Sequence, residues 1–183
     1  MKVLLKFLLK LLGIKNNFDS YKKEKINHSE SYETIVEVSE GQLEKLLIEN
    51  GFITEKQLSI AQEQVTGSSL PITDILIGMG FITDKDLTKI LGLQLNVDFV
   101  DLDNMELNPD IVKTIPENLA KRYNVIAVDI VDNRIRLAMA NPRDILAIDD
   151  IRLVTGYDIE PVIANESSLK KVIGTQFGSS DLC

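Results

Sequence analysis

At 183 residues the chain can form one or two small domains, and 44% apolar with 26% charged residues is the composition of a soluble globular protein. The formal charge of −8 is uneven: residues 1–25 hold seven lysines against Asp19 and Glu24, a net of +5, which leaves −13 for the rest. An acidic body is a poor match for nucleic acid, a lone Cys183 excludes an internal disulfide framework and fits a reducing cytoplasm, and no apolar run reaches the roughly 18–20 residues that span a bilayer.

Residues 1–12 read as an amphipathic helix in which Lys2, Lys6 and Lys10 form one cationic stripe among Val, Leu and Phe. Such a helix can lie on an anionic membrane surface, its lysines reaching the headgroups, or dock on a protein surface. Residues 13–38 are polar, lack periodicity and read as a flexible linker. His28 stands there with no cysteine or second histidine beside it, so it reads as a solvated side chain.

Residues 40–95 contain a repeat. Leu47, Ile48, Gly51, Phe52, Ile53, Thr54, Lys56 and Leu58 recur 29 positions later as Leu76, Ile77, Gly80, Phe81, Ile82, Thr83, Lys85 and Leu87. Each copy has the grammar of a helix-turn-helix. In the first, Leu43, Leu46, Leu47 and Ile48 form an apolar face, Gly51 ends the helix in a left-handed conformation, and Thr54-Glu55-Lys56-Gln57 opens the next helix as a capping box. The second copy repeats this with Ile72, Ile75, Leu76, Gly80 and Thr83-Asp84-Lys85-Asp86. Gly67-Ser68-Ser69 is a turn between the copies, and Pro71 suits a first helical position. Two equivalent helix N-termini, each with free N–H groups and a positive dipole end, would suit a two-fold-like ligand with two phosphates.

Beyond the repeat, Val97–Asp101 reads as a short strand and 108–115 and 116–121 as short helices. Val125–Val131 and Arg134–Ala140 read as strands joined by an Asp132-Asn133 turn. A helix over Asp144–Val154 ends at Gly156, a strand follows over Asp158–Ala164, and Asn165 caps a last helix to about Ile173. The expected fold is α+β: a four-helix subdomain of two helix-turn-helix units (40–95), then a small α+β subdomain (96–176) with a mostly antiparallel sheet, then a frayed tail (177–183). Catalytic machinery is not visible. No Walker A loop, nucleophile elbow or zinc-protease motif occurs. Asp101-x-Asp103 opens like an EF-hand loop, but Glu106 and Val112 occupy the sixth and twelfth positions. Asp144, Asp149 and Asp150 read as the exposed side of a helix, so no metal is expected.

Residues 42–65 and 71–94, two windows of 24 residues with a five-residue spacer, resemble the paired motif of the MshEN domain. That domain forms the N-terminal part of type IV pilus assembly and type II secretion ATPases and binds cyclic di-GMP. The first window supplies Leu43, Leu47, Ile48, Gly51, Ile53 and Leu58 at matching positions. The second supplies Ile72 in place of a leucine, then Leu76, Ile77, Gly80, Ile82, Leu87, Leu91 and Gln94. Residues 95–176, including Phe99-Val100-Asp101-Leu102 and Ala138-Met139-Ala140-Asn141-Pro142, look like the second part of the same region.

The departures are specific. The motif's opening arginine is Gln42 in one copy and Pro71 in the other, its glycine is Glu44 and Thr73, its closing glutamine is Val65 in the first copy, and Phe52 and Phe81 replace aliphatic residues. Arginine holds phosphate or a guanine edge bidentately, which neither Gln nor Pro can do. The resemblance implies a regulatory chain, not an enzyme in its own right, with cyclic di-GMP across the two copies. Its implied partners are an ATPase motor domain and an inner-membrane assembly protein, and its implied location is the cytoplasm or the inner face of the membrane. In that reading Leu43, Leu47, Ile48, Leu58, Ile72, Leu76, Ile77, Leu87 and Leu91 provide apolar contact. Gly51 and Gly80 permit close backbone approach, and Gln42 and Gln94 offer polar contact. A docking module that binds no nucleotide is the alternative, favoured by the missing arginines.

Overall fold

The structure, a computed structural model, describes residues 40–65 and 70–178. The expected N-terminal helix, the linker with His28, the Gly67-Ser68-Ser69 turn, and the tail beyond 178 with Cys183 lie outside the described residues. The chain divides into two compact units after Ile90, and each is taken by itself.

The first unit contains α1 (Glu40–Glu49), α2 (Glu55–Val65), α3 (Ile72–Gly78) and the start of α4 (Asp84–Leu95). The four expected helices are present, and the same chemistry bounds them in both copies. After α1, Gly51 takes φ +73, its N–H donates to the Ile48 carbonyl at 2.9 Å, and the Phe52 N–H donates to the Leu47 carbonyl at 2.9 Å. After α3, Gly80 takes φ +74, with the equivalent bonds to Ile77 and Leu76, both also 2.9 Å. This is the Schellman motif, in which a glycine free of Cβ strain lets two N–H groups satisfy the last carbonyls of the helix.

Each following helix opens with a reciprocal cap. The Thr54 N–H donates to Gln57 Oε1 at 2.9 Å and the Gln57 N–H to Thr54 Oγ1 at 3.3 Å. In the second copy the Thr83 N–H donates to Asp86 Oδ2 at 2.9 Å and the Asp86 N–H to Thr83 Oγ1 at 3.2 Å. Pro71 is the N-cap of α3 rather than its first helical residue, because its ψ of 151° is extended. Leu47, Ile53, Ala61, Ile72, Ile75, Leu76, Met79, Ile82 and Ile90 fill one core.

The second unit continues through α5 (Pro109–Val112), α6 (Glu117–Tyr123), β1 (Val125–Val131), β2 (Arg134–Met139), α7 (Ile145–Thr155), β3 (Asp158–Ile163) and α8 (Glu166–Phe177). The β1–β2 hairpin turns on Asp132 and Asn133, at φ 47° and 61°, a pair of positive angles that matches the twist of the strands. Strand order is β1-β2-β3, with β1 and β2 antiparallel and β2 and β3 parallel. The mostly antiparallel sheet expected from the sequence is therefore mixed. A strand re-entering a sheet beside its predecessor after a helical crossover, here α7, runs parallel to it.

The strands bury both faces. Val125, Ala127, Ile135, Leu137 and Met139 join Leu119 and Ala120 of α6 and Ala147 and Ile151 of α7. Ile126, Val128, Ala138 and Val162 join Val112 of α5 and Leu169 and Ile173 of α8. A period of two between two helical layers explains the near-continuous apolar run of β1.

Several boundaries differ from the sequence reading, among them that of α5, expected over 108–115 and found at Pro109–Val112. Val97–Asp101 is not a strand: only Phe99 bridges to Ile163, and the chain turns at Asp101, whose Oδ1 accepts from the Asp103 N–H at 3.2 Å. Helix α6 runs on to Tyr123 and ends at Asn124 in a left-handed cap, φ 52°. Helix α8 runs to Phe177, which packs on the core, so the tail does not fray from 177.

Candidate functional site

The repeat gathers Leu43, Leu47, Ile48, Leu58, Ile72, Leu76 and Ile77 around one core, but with unequal exposure. Leu47 and Leu76 are both 0% exposed, and Ile72 and Leu87 are buried at 5% and 4%. These side chains hold the unit together and present no surface to a ligand in this conformation. Leu43, Ile48, Leu58 and Ile77 are half-buried at the margin of the core, and Gln42, Gly51 and Gly80 are exposed. Positive φ at the two glycines is accounted for by the helix ends alone. A Cβ added at either would meet nothing within 4 Å, so that space is open to another molecule as well.

Leu91 and Gln94 lie in the part of α4 assigned to the second unit. Leu91 is buried, and Gln94 is half-buried with its Oε1 atom fully enclosed and without a hydrogen-bond partner. Among the described residues no other buried side-chain oxygen or nitrogen is in that condition. A buried acceptor without a donor is unfavourable by roughly 1–3 kcal/mol.

The electrostatics of residues 40–90 oppose an anion. Residues 40–90 carry Lys45, Lys56, Lys85 and Lys89 against Glu40, Glu44, Glu49, Glu55, Glu63, Asp74, Asp84 and Asp86. Glu44 accepts a hydrogen bond from Gln62 Nε2 at 3.2 Å, which fixes its carboxylate between α1 and α2. At the start of α4, the Asp86 carboxylate already takes the Thr83 N–H and hydroxyl, the latter at 2.6 Å. A phosphate there would meet Asp84 and Asp86, so the two helix N-termini are not equivalent anion sites. In the first copy the capping group is the neutral Gln57.

Two features of the second unit were not legible as a site. A groove of about 450 Å³ is lined by Asn133, Asp149, Arg152, Leu153, Gly156, Tyr157 and Asp158. Ile145, Leu146, Leu153 and Val154 of α7 are exposed. The run of apolar residues in α7 was visible, but the side left uncovered by the sheet was not. The Tyr123 hydroxyl donates to Asp150 Oδ2, and this bond, with desolvation, raises the tyrosine pKa against the opposing effect of Arg122, whose guanidinium lies 5.0 Å from the ring centroid. Among the described residues no group of three or more His, Cys, Asp or Glu side chains could hold a metal ion, and no helix is long and apolar enough to cross a membrane.

Comparison with known proteins adds three findings. The family model of the MshEN domain matches residues 95–181, so this match falls on the α+β unit and follows the tandem repeat. The type IV pilus assembly ATPase PilB of Myxococcus xanthus is 34% identical over 133 residues, 73% of this chain and 24% of that protein. PilB of Thermus thermophilus is 31% identical over 116 residues, 61% of this chain and 13% of that protein. The chain thus spans about a quarter of the first relative's length, or less for the second. An aligned stretch of 133 residues does not fit between residue 95 and residue 183, so similarity to the Myxococcus protein extends into the repeat. The solved structure of MshE with cdg is 29% identical, with a TM-score of 0.53, and the match covers 73% of this chain and 97% of that one.

Proposed function

This chain carries an MshEN domain, and from that premise we propose that it is the N-terminal regulatory region of a pilus-assembly or secretion ATPase, with cyclic di-GMP as its ligand across the tandem repeat. The observation that carries the reading is the likeness to MshE with cdg, taken as cyclic di-GMP, which extends over nearly the whole of that chain. The half-buried Leu43, Ile48, Leu58 and Ile77 would receive the apolar faces of the purines, while Leu47, Ile72, Leu76 and Leu87 support them from the core. Gly51 and Gly80 leave room for close approach. Gln42 and Gln94 would add polar contacts, and Leu91, buried like Leu87, would support the helix that carries Gln94. In this reading ATP hydrolysis belongs to the motor domain and not to this regulatory chain. It would act from the cytoplasmic side on the motor domain and on an inner-membrane assembly partner, with residues 1–12 available to a membrane surface.

A specific observation favours a second reading, a docking module that binds no nucleotide. Glu44, fixed by Gln62, brings a carboxylate to a segment, residues 40–90, in which acids outnumber lysines by two to one. Neither Gln42 nor Pro71 supplies the bidentate cation that would offset it. Isothermal titration of the 183-residue chain with cyclic di-GMP, with GTP as control, separates the two. Selective binding with a micromolar or tighter dissociation constant supports the ligand reading. No heat and no thermal shift at saturating nucleotide leaves the docking module.

A further inference from the structure

Gln94 stands apart among the described residues because its Oε1 is fully enclosed and has no donor. An acceptor in that state gains a partner whenever its surroundings open to water. The chain on either side of it forms a short, tightly drawn junction, all within the second unit. Two residues before Gln94, a Cβ added at Gly92 would lie 2.9 Å from Ile163 Cγ2 at the end of β3 and 2.9 Å from the Val97 carbonyl. Two residues after it, Asn96 leads the chain out of α4 at φ 54°, and the Val97 N–H donates to the Gly92 carbonyl at 2.9 Å. The chain then meets β3 at a single bridge, Phe99 to Ile163. There the Ile163 N–H donates to the Asp98 carbonyl at 2.8 Å and the Val100 N–H to the Ile163 carbonyl at 2.9 Å. The Asp98 carboxylate pairs with Arg136 Nη2 of β2 at 2.9 Å, and Arg136 Nε pairs with Glu160 of β3 at 3.3 Å.

We propose that residues 96–100 are a latch on the edge of β3, closed in this structure, which a ligand at Gln94 opens. The proposal rests on the reading of Gln94 as a polar contact of cyclic di-GMP, and it adds how occupancy of that site reaches the α+β unit. The latch is held by few bonds: two between backbones and one exposed ion pair, the latter a weak contribution. Its remaining hold is the packing of Gly92 on Ile163. That contact has no slack, so the last turn of α4 cannot shift without displacing the end of β3 or parting from it. Gln94 belongs to this turn. For its oxygen to leave the enclosure and meet a donor, the turn has to move. The unpartnered oxygen therefore makes opening easier, and a ligand that bonds only to the released amide shifts the population toward the open state by its differential affinity.

A junction that served only to hold the chain would be firmer with an apolar side chain at this position, and the nearby Leu91 and Leu95 of the same helix are apolar. An enclosed acceptor without a donor, placed two residues from the tightest backbone approach in the unit, is instead a store of strain at the point where release has a consequence.

Amide hydrogen exchange of the 183-residue chain, followed by NMR, tests the latch. The probes are the Val100 and Ile163 amides, and the Ile151 amide in the core of α7 is the reference. Without ligand, Gln94→Met keeps the length of the side chain and removes the acceptor. Exchange at both probes should then slow by about fivefold or more, with Ile151 unchanged. Asp98→Ala removes the ion pair with Arg136 and should speed both probes by up to about fivefold. Cyclic di-GMP at saturation should speed both probes in the wild type and leave them unchanged in Gln94→Met. Titration heat on the same samples shows whether the nucleotide binds. Binding to the wild type with no change at the probes overturns the latch and leaves the ligand reading standing, whereas no binding overturns both. Unchanged or faster exchange at the probes in ligand-free Gln94→Met overturns the latch whatever the nucleotide does.

Discussion

Glycine replacement tests the helix-end chemistry most directly. Gly80 takes φ +74, and a Cβ built on it meets nothing within 4 Å, so Gly80→Ala introduces no collision and isolates backbone strain. A left-handed conformation is unfavourable for an L-residue by roughly 1–2 kcal/mol. The smaller unfolded-state entropy of alanine offsets roughly 0.4–1 kcal/mol of that. The expected net loss is about 1 kcal/mol for Gly80→Ala, and the same for Gly51→Ala, at φ +73 with equal space. Gly174 serves as the control, in the middle of α8 with nothing within 4 Å and helical φ. There Ala should stabilise by about 0.5–1 kcal/mol. Gly80→Asn should lose less than Gly80→Ala, since Asn96, Asn124 and Asn133 of this chain already adopt φ of 54°, 52° and 61°. Urea unfolding followed by circular dichroism reads all four variants. If Gly80→Ala matches or exceeds the wild type, or if Asn loses as much as Ala, the left-handed cap does not explain these glycines.

Four further outcomes follow from the same structure. Leu76→Ala should destabilise the first unit by roughly 2–5 kcal/mol, as for other fully buried leucines; a loss of nucleotide binding without a shift in unfolding would instead make Leu76 a ligand contact. Thr54→Ala and Thr83→Ala should each lose about 1 kcal/mol in thermal unfolding, because both remove an equivalent reciprocal cap. Tyr123 has its pKa raised above its ordinary value near 10 by the bond to Asp150, so its stabilising contribution is present below that value and is lost as pH rises through the folded-state value. Denaturation midpoints between pH 8 and 11 should therefore fall more steeply for the wild type than for Tyr123→Phe. If cyclic di-GMP binds, Glu44→Gln should tighten it by up to about fivefold, the effect of removing one exposed like charge; weaker binding to Glu44→Gln would show that the carboxylate accepts a ligand hydrogen bond instead.

Gly92 illustrates a limit on what residue type conveys. A Cβ there would lie 2.9 Å from Ile163 Cγ2 and 2.9 Å from the Val97 carbonyl. Gly92 is required by close approach, not by backbone angle, and nothing in the residues beside it in the sequence announces β3.

Much of this fold was fixed by residues within five positions of one another. The Schellman turns at Gly51 and Gly80, the caps at Thr54 and Thr83, the Asp132-Asn133 hairpin and the Asp144 and Asn165 caps are local hydrogen-bond patterns. A local sequence carries both donor and acceptor of such a pattern, so the repeat and the boundaries of most elements were legible without coordinates. Contacts between distant residues were not. Tertiary structure decided that Leu47 is core while its neighbour Ile48 reaches the margin, because burial depends on which helix covers each side. It made β3 parallel to β2, seated Glu44 on Gln62, and enclosed the oxygen of Gln94. It also left one flank of α7 bare, since that helix is apolar on nearly every side and only the position of the sheet determines which side is used.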